Sequence, residues 1–399
     1  MEFSLFEKLV MVMASAVLML IVMRRLQIPV IIGYLLLGVL FGPHGMHMVS
    51  NSESIHALAE FGIVFLLFAI GLEVSLSRII AMRRAVLWVG SIQVIACMVI
   101  PGITAYYLGM SLGSGFVAAA ALSLSSTAIV VKQLSEQKEL MTQHGELSFA
   151  LLLFQDLAAI PFLICIPMLA AGKVFVPNDV LWIVGKSIFA VGVLWAIGRF
   201  ILRPLFDEVA KSGSDELFTL TTLLTVIATA WLTSKMGLSM ALGAFLAGLV
   251  LAETHHRHQI KKDIRPFRDL LLGLFFMTVG MLLDFDMIFR YWYWVLFLVG
   301  SILFFKTIVV SAVAKWVGHL SSEDAFRTGL ILAHGGEFGF VLLTLAMTLG
   351  VMEKDYGQVV LAGILITLFL CPILIKWNGK IAQYLIQRIA SANNGAKSI

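Results

Sequence analysis

Long apolar runs recur along this chain from end to end, and nothing constrains its fold more. A membrane-spanning helix needs about 20 mostly apolar residues. Runs near that length cover 5–23, 28–42, 55–73, 85–108, 114–132, 145–171, 180–202, 216–235, 237–252, 266–284, 290–317, 326–350 and 356–377, which predicts about thirteen spans and an all-α membrane protein. Spans two and nine are short and carry glycines. Of 399 residues, 60% are hydrophobic and 13% charged. That charged share is about half the usual one and excludes the two or three soluble domains that length alone would suggest. The first run continues into a multi-span protein, so no separate signal peptide is read. Cys97, Cys165 and Cys371 sit far apart in apolar runs. They read as core fillers, with neither a disulfide framework nor a metal motif.

The charges give the orientation. Loops after odd-numbered spans hold 21 of the 28 Lys and Arg residues, and the opposite side holds 5; Lys186 and Lys306 fall within spans. By the positive-inside rule the N-terminus is expected outside and the C-terminus in the cytoplasm.

An internal repeat is also legible. Gly33-Tyr-Leu-Leu-Leu-Gly38 reads like Gly243-Ala-Phe-Leu-Ala-Gly248, and Phe68-Ala-Ile-Gly-Leu-Glu73 is echoed by Met277-Thr-Val-Gly-Met281. At the same offset, Ser123-Leu-Ser-Ser-Thr127 falls on Ala333-His-Gly-Gly-Glu337. Small residues at such spacings are common in membrane packing, but three matches share one register. The shift is seven spans, an odd number, so the copies must have opposite orientation. Inverted repeats with interrupted helices mark secondary transporters, whose sites lie near the midplane.

Several polar residues interrupt the apolar runs. Asp156, with Gln155 beside it, lies mid-span in Leu151-Leu-Leu-Phe-Gln-Asp-Leu-Ala-Ala-Ile-Pro161. A buried acid costs at least ~2.5–3.5 kcal/mol at the bilayer centre and marks a functional site by default, against the alternative of a packing polar pair. Lys306 lies too deep in span eleven to snorkel, so a partner carboxylate such as Asp156 is expected; Lys186 lies near a span end, where snorkelling explains it. Ser125, Ser126 and Thr127 either bond back to their own helix or mark an unwound crossing that offers oxygens to a hard cation. Glu337 follows the helix break expected at Gly335-Gly336, where a half-helix dipole would stabilise it. Glu73 and Glu60 read as mostly interfacial, with Glu73 the better accessory candidate.

Other signals carry less. Gly109-Met-Ser-Leu-Gly113 matches a hydrolase pattern, but it lies at a short loop between spans without the strand-to-helix elbow. No P-loop, GxGxxG or HExxH occurs. The run Arg257-His-Gln-Ile-Lys-Lys-Asp-Ile-Arg-Pro-Phe-Arg-Asp269 reads as a charged cytoplasmic loop, anchored to anionic lipid or docking a regulator.

One carboxylate serving both a proton and a small cation accounts for this pattern. Desolvation and a nearby lysine act oppositely on a carboxyl group's hold on its proton. Balanced, they leave Asp156 able to exchange a proton for a cation, with Lys306 pairing the ionised acid between loads. Oxygen ligands from Asp156, Gln155, Ser125, Ser126 and Thr127 suit a hard cation. Moving one bundle against the other would carry the load across. The alternatives are sodium/proton antiport on the same scaffold and a gated potassium channel.

At these residues the chain resembles the cation:proton antiporter superfamily, most closely the Kef branch of glutathione-gated potassium efflux systems. The matching pieces are IGYLLLGVLFGP at 32–43, FAIGLEVSL at 68–76, ALSLSSTAI at 121–129, LLLFQDLAAIP at 151–161, GLSMALGAFLAGLVLA at 237–252, PFRDLLLGLFFMTVGM at 266–281, the lysine of span eleven and GGEFGFV at 335–341. The Gln-Asp pair is similar to Kef proteins rather than to the Asp-Asp or Asn-Asp pairs of many sodium/proton relatives. The resemblance implies an inverted-repeat antiporter fold in which spans five and twelve are broken and cross. It implies a transmembrane domain over 1–383, with a core at about 85–171 and 290–383 and a dimerisation scaffold at about 1–75 and 180–284. It further implies a homodimer in the cell inner membrane, Asp156 as the acid that binds K+ and H+, and Lys306 as its partner. No cofactor and no nucleic acid partner is expected of this chain. Nucleotide and glutathione would act only through a C-terminal regulatory domain or ancillary subunit, to which 384–399 would begin a linker. The regulatory loop of Kef proteins reads HALESDIEPF. Here it is His258-Gln-Ile-Lys-Lys-Asp-Ile-Arg-Pro-Phe267, which keeps Asp263, Pro266 and Phe267 but is basic at Lys261, Lys262 and Arg265.

Overall fold

The computed structural model describes residues 5–26, 29–43, 45–46, 53–73, 76–170, 189, 192–236 and 240–396, with side chains for all of these except 5–6, 8–9, 53–60, 73, 76–78 and 386–396. The secondary structure among the described residues is helical, without strands. In hydrocarbon a helix satisfies its backbone polar groups within one segment, which is why apolar runs of this length take that form.

The helices are α1 (Leu5–Arg25), α2 (Val30–Phe41), α3 (Glu53–Glu73), α4 (Leu76–Ala81), α5 (Gly90–Tyr107), α6 (Leu112–Ser123), α7 (Thr127–Glu136), α8 (Gln143–Ala170), α9 (Arg203–Lys211), α10 (Asp215–Lys235), α11 (Met240–Leu251), α12 (Arg257–Leu282), α13 (Phe285–Arg290), α14 (Trp292–Ser301), α15 (Thr307–Trp316), α16 (Ser322–Leu332), α17 (Glu337–Thr348) and α18 (Lys354–Ala396). Wider π-helical turns at Arg84–Val89, Gly198–Leu202 and Ile302–Lys306 lead into α5, α9 and α15. Among the described residues six helical segments are long and apolar enough to cross a membrane, or seven if the bent pair α16–α17 counts as one. The count of thirteen is therefore not reached. Spans two and nine form α2 and α11, of 12 residues each, which rise only about 18 Å against a hydrocarbon core of about 30 Å. The first part of the segment expected at 180–202, including Lys186, lies mostly outside the described residues, which resume at 192. Over the tail expected from residue 384, α18 continues unbroken to Ala396.

Contacts divide the chain into two compact units, one of Met1–Arg78 and Leu163–Asp284 and the other of Ile79–Phe162 and Phe285–Ile399. In the first, Phe68, Phe206, Phe218, Leu251, Ile260 and Ile264 belong to one buried cluster. That cluster corrects the loop expected around residues 257–269. Ile260 and Ile264, four residues apart, are fully buried on one face, while Lys261, Lys262 and Arg265 are exposed on the other. The charged run is thus the amphipathic first half of α12.

The repeat appears in this unit as a reciprocal pair of close backbone contacts. A methyl group on Gly38 would run into the carbonyl of Met277, and one on Gly280 into that of Leu35. The second contact exchanges the copies: a methyl on Gly248 would meet the carbonyl of Phe68, and one on Gly71 that of Phe245. Gly38 and Gly248 are repeat mates, as are Gly71 and Gly280. Each copy thus presses its short helix onto the other's long one, and glycine permits that approach.

Candidate functional site

The second unit contains two helices broken at repeat-related positions. Between α6 and α7 the chain is extended at Leu124 and Ser126, and between α16 and α17 it leaves the helix at Ala333 and is extended at Gly336. The latter pair bends by 44°. The breaks touch, since a methyl on Gly336 would lie 2.7 Å from the Ser125 carbonyl. The Ser125 hydroxyl also donates to Leu332 O at 3.0 Å. Of the two readings of the serine cluster, the unwound crossing describes Ser125 and Ser126, whereas the Ser123 hydroxyl bonds back to Ala120 O at 2.8 Å.

Each break exposes one helix C-terminus and one helix N-terminus, with opposite partial charges. One lysine and one glutamate complement these ends. Lys306, buried at the end of the π-helical turn Ile302–Lys306, donates to Leu124 O at 2.8 Å and to His334 O at 2.7 Å. Both carbonyls lie just past a helix C-terminus. Glu337, at the first position of α17, is buried near the Ser126 hydroxyl and the Ala128 backbone N–H at the start of α7, and its Oε2 makes no hydrogen bond. The glutamate therefore faces the N-termini of both half-helices. Ser126 caps α7, its oxygen accepting from Ile129 N at 3.4 Å.

Lys306 consequently does not form the ion pair with Asp156 that its isolation in the sequence suggests. The physical reason is the pair of breaks: two buried carbonyls, each released from helical bonding, lie within reach of the ammonium and satisfy it. Asp156 instead accepts from the Thr127 hydroxyl, at 3.0 Å to Oδ1 and 3.1 Å to Oδ2. It is buried, 9% exposed, one helix away from the break that Thr127 follows.

Gln155 also differs from expectation. Its Oε1 accepts from Ser125 N at 2.6 Å and its Nε2 donates to Gln93 Oε1 at 2.9 Å. Gln93, fully buried on α5, donates in turn to Cys97 Sγ at 3.2 Å. The amide thus fastens the unwound backbone beside Asp156 to α5, which is a positioning task. Gln93 was not legible as a site residue, because a single glutamine among apolar residues carries no spacing signal. His334 was missed too; its Nδ1 donates to Gly335 O at 2.7 Å inside the break, and its buried Nε2 makes no hydrogen bond.

A polar cluster closes one end of this unit. Arg327 donates to Glu139 Oε1 at 2.6 Å and to Asn378 Oδ1 at 2.5 Å. The ring of His144 lies 3.0 Å from Asp324 Oδ1 and 3.3 Å from Glu139 Oε2. Burial opposes ionisation of Glu139, but the Arg327 guanidinium, helped by Asn378 and His144, outweighs it and holds the carboxyl below its ordinary range.

The remaining expected residues are not gathered here. Glu73 ends α3 in the first unit, and its side chain is outside those described. His258, Asp263, Arg265, Pro266 and Phe267 lie on α12, also in the first unit. There Asp263 accepts from the Thr219 hydroxyl at 3.2 Å, and Arg265 reaches Asp269 at 3.7 Å across one helical turn.

Comparisons with known proteins agree with this architecture. The pattern of a family described as "Sodium/hydrogen exchanger, transmembrane" matches residues 12–380. A K(+) efflux antiporter KefB proposed for Alkalimonas amylolytica is 41% identical over 385 residues, covering 96% of this chain and 58% of that protein. K(+) efflux antiporter 1, chloroplastic, of Arabidopsis thaliana is 38% identical over 385 residues, covering 93% of this chain and 32% of that protein. The chain therefore spans between a third and three fifths of these relatives. The solved sodium proton antiporter MjNhaP1 of Methanocaldococcus jannaschii shares the fold, with a TM-score of 0.62 at 16% identity, covering 94% of this chain and 99% of that one. With an all-helical membrane fold, two broken helices in contact and a family match over most of its length, the chain belongs to the transmembrane sodium/hydrogen exchanger family, with a membrane domain of the Kef type.

Proposed function

We propose that the chain is a cation/proton antiporter in which Asp156 alternately binds the cation and the proton. The observation that carries this reading is a buried carboxylate, bonded to the hydroxyl that opens one half-helix, in a family of exchangers. The Thr127 hydroxyl supplies a further oxygen of the kind a hard monovalent cation takes. Gln155 holds the break in register through Ser125 N, and so positions ligands rather than contributing its own amide. Lys306 and Glu337 are constant partners of the half-helix ends. With those two charges fixed, the exchanged load is the one on Asp156, which gives one cation for one proton. Potassium is the proposed cation, as the names of the most similar relatives and the Gln155–Asp156 pair favour it. The unit holding Asp156 is taken as the moving core and the other as the scaffold of a homodimer. The distribution of Lys and Arg favours an N-terminus outside, and the Kef resemblance favours a cell inner membrane.

Reconstitution in vesicles that enclose a pH-sensitive dye tests the proposal, with K+, Na+ and Li+ added in turn. Proton movement driven by K+ and abolished in Asp156→Asn is expected. Undiminished exchange in that variant would reject the site. A response to Na+ but not K+ would reject the selectivity, and cation flux without proton movement would reject coupling.

A further inference from the structure

The second unit contains a cavity of about 450 Å3 outside the crossing, between α5, α6, α14 and α18. Its walls are largely apolar, with Ile100, Leu108, Leu298 and Val359 among them, interrupted by Thr104 and Ser301. Lys306 stands at one end; Tyr291, Glu353, Asp355 and Tyr356 stand at the other. The spans that form the rim, Arg84–Tyr107 and Trp292–Trp316, are only 33% buried, the lowest share among the six. Phe297 and Phe305 on that rim line the cavity and are exposed, as residues open to lipid would be. The helical stretch from Trp292 to Lys306 rises about 20 Å, comparable to the ~15 Å of hydrocarbon in one leaflet. The depth, the apolar walls and the lipid-facing rim together match one acyl chain entering from the side.

The polar end specifies the headgroup. Glu353 and Asp355 line the cavity mouth, and Asp355 is oriented by the Tyr291 hydroxyl at 3.0 Å. Two exposed cations flank them: Lys354, between them in sequence, and Arg290, whose guanidinium lies 5.8 Å over the Tyr291 ring. Adjacent acids and bases at interface level complement a head that carries both an ammonium and a phosphate. A head without an ammonium would offer Glu353 and Asp355 no counter-charge. We infer that this cavity binds one acyl chain of a zwitterionic, amine-bearing phospholipid, whose ammonium meets Glu353 and Asp355 and whose phosphate meets Arg290 and Lys354.

Trp294 lines the cavity and provides the probe, because bromine on an acyl chain quenches indole fluorescence on contact. The full chain is reconstituted in phosphatidylcholine vesicles with a small fraction of dibromo-acyl phosphatidylethanolamine or dibromo-acyl phosphatidylglycerol. The Trp294 share is the difference between the protein and its Trp294→Phe variant. Quenching of that share is expected at an ethanolamine-lipid fraction about fivefold lower than for the glycerol lipid, the discrimination one partly exposed ion pair provides. The preference should vanish in Glu353→Gln/Asp355→Asn. Val359→Phe, which fills the wall, should abolish saturable quenching by both lipids. Equal quenching by the two lipids in the unaltered protein would overturn the headgroup assignment. Saturable quenching that survives Val359→Phe would overturn the cavity assignment. Neither result depends on transport.

Discussion

Replacing Lys306 by glutamine separates two accounts of that residue. In the structure its ammonium makes two buried charge-assisted bonds, to Leu124 O and His334 O. Hydrogen bonds to charged groups contribute about 1.5–3 kcal/mol each. Losing both costs about 3–6 kcal/mol, less whatever one shorter amide recovers. The loss lies at the contact of the two breaks, so Lys306→Gln should unfold more readily whatever occupies Asp156. The decisive measurement is a double-mutant cycle on stability in detergent, with Asp156→Asn as the second change. If the lysine serves the helix ends, the two losses add within about 0.5 kcal/mol. If it instead neutralised Asp156, removing the lysine would strand a buried charge at a cost of about 3–5 kcal/mol, and Asp156→Asn would relieve it. Rescue of Lys306→Gln by Asp156→Asn would therefore refute the assignment of Lys306 to the carbonyls.

Two further expectations concern the same unit. Gln93→Leu removes the acceptor of the Gln155 amide and leaves that buried group unsatisfied, a cost of about 1–3 kcal/mol; exchange in the vesicle assay should slow while the cation preference stays the same. Glu139 has its carboxyl held below the ordinary range, chiefly by Arg327 acting against burial. Its stabilising contribution is thus present above the unfolded carboxyl's range and is lost as pH falls through the folded one. The thermal-stability gap between the protein and Glu139→Gln should accordingly be widest near neutral pH and close in strong acid. A gap that widened on acidification would show that the ionised form is not the one the cluster stabilises.

Asp156 was legible because a carboxylate has no ordinary reason to interrupt an apolar run of that length. The pairing of Ser125–Thr127 with His334–Glu337 was legible as well, because one repeat offset connects them with the glycines of α2 and α11. Glu337 meets the half-helix end that its place after Gly335-Gly336 predicts, and a second end that its place does not predict. The carbonyls that Lys306 meets were not legible, since the only candidates visible in a sequence are charged side chains, whereas these carbonyls exist as acceptors only once the helices break. The bonds of Gln155 were not legible for a related reason: its nearest chemical neighbour along the chain is Asp156, but they run to Ser125 in the break before α7 and to Gln93 on α5. The charged run after Arg257 hid a helical face, Ile260 with Ile264, beneath its surface charge.

The order of residues alone determines the solvent this chain folds in, its helical character, its inverted duplication and the acid at its centre. Each is a property of composition or spacing along the chain, and hydrocarbon leaves few alternatives to a helix. The tasks of the side chains around that acid are decided in three dimensions. Whether a lysine answers a carboxylate or a carbonyl depends on which backbone groups two separate breaks bring within about 3 Å, the reach of a hydrogen bond. Hydrogen bonds select by distance and direction, and helices packed from remote parts of the chain set both.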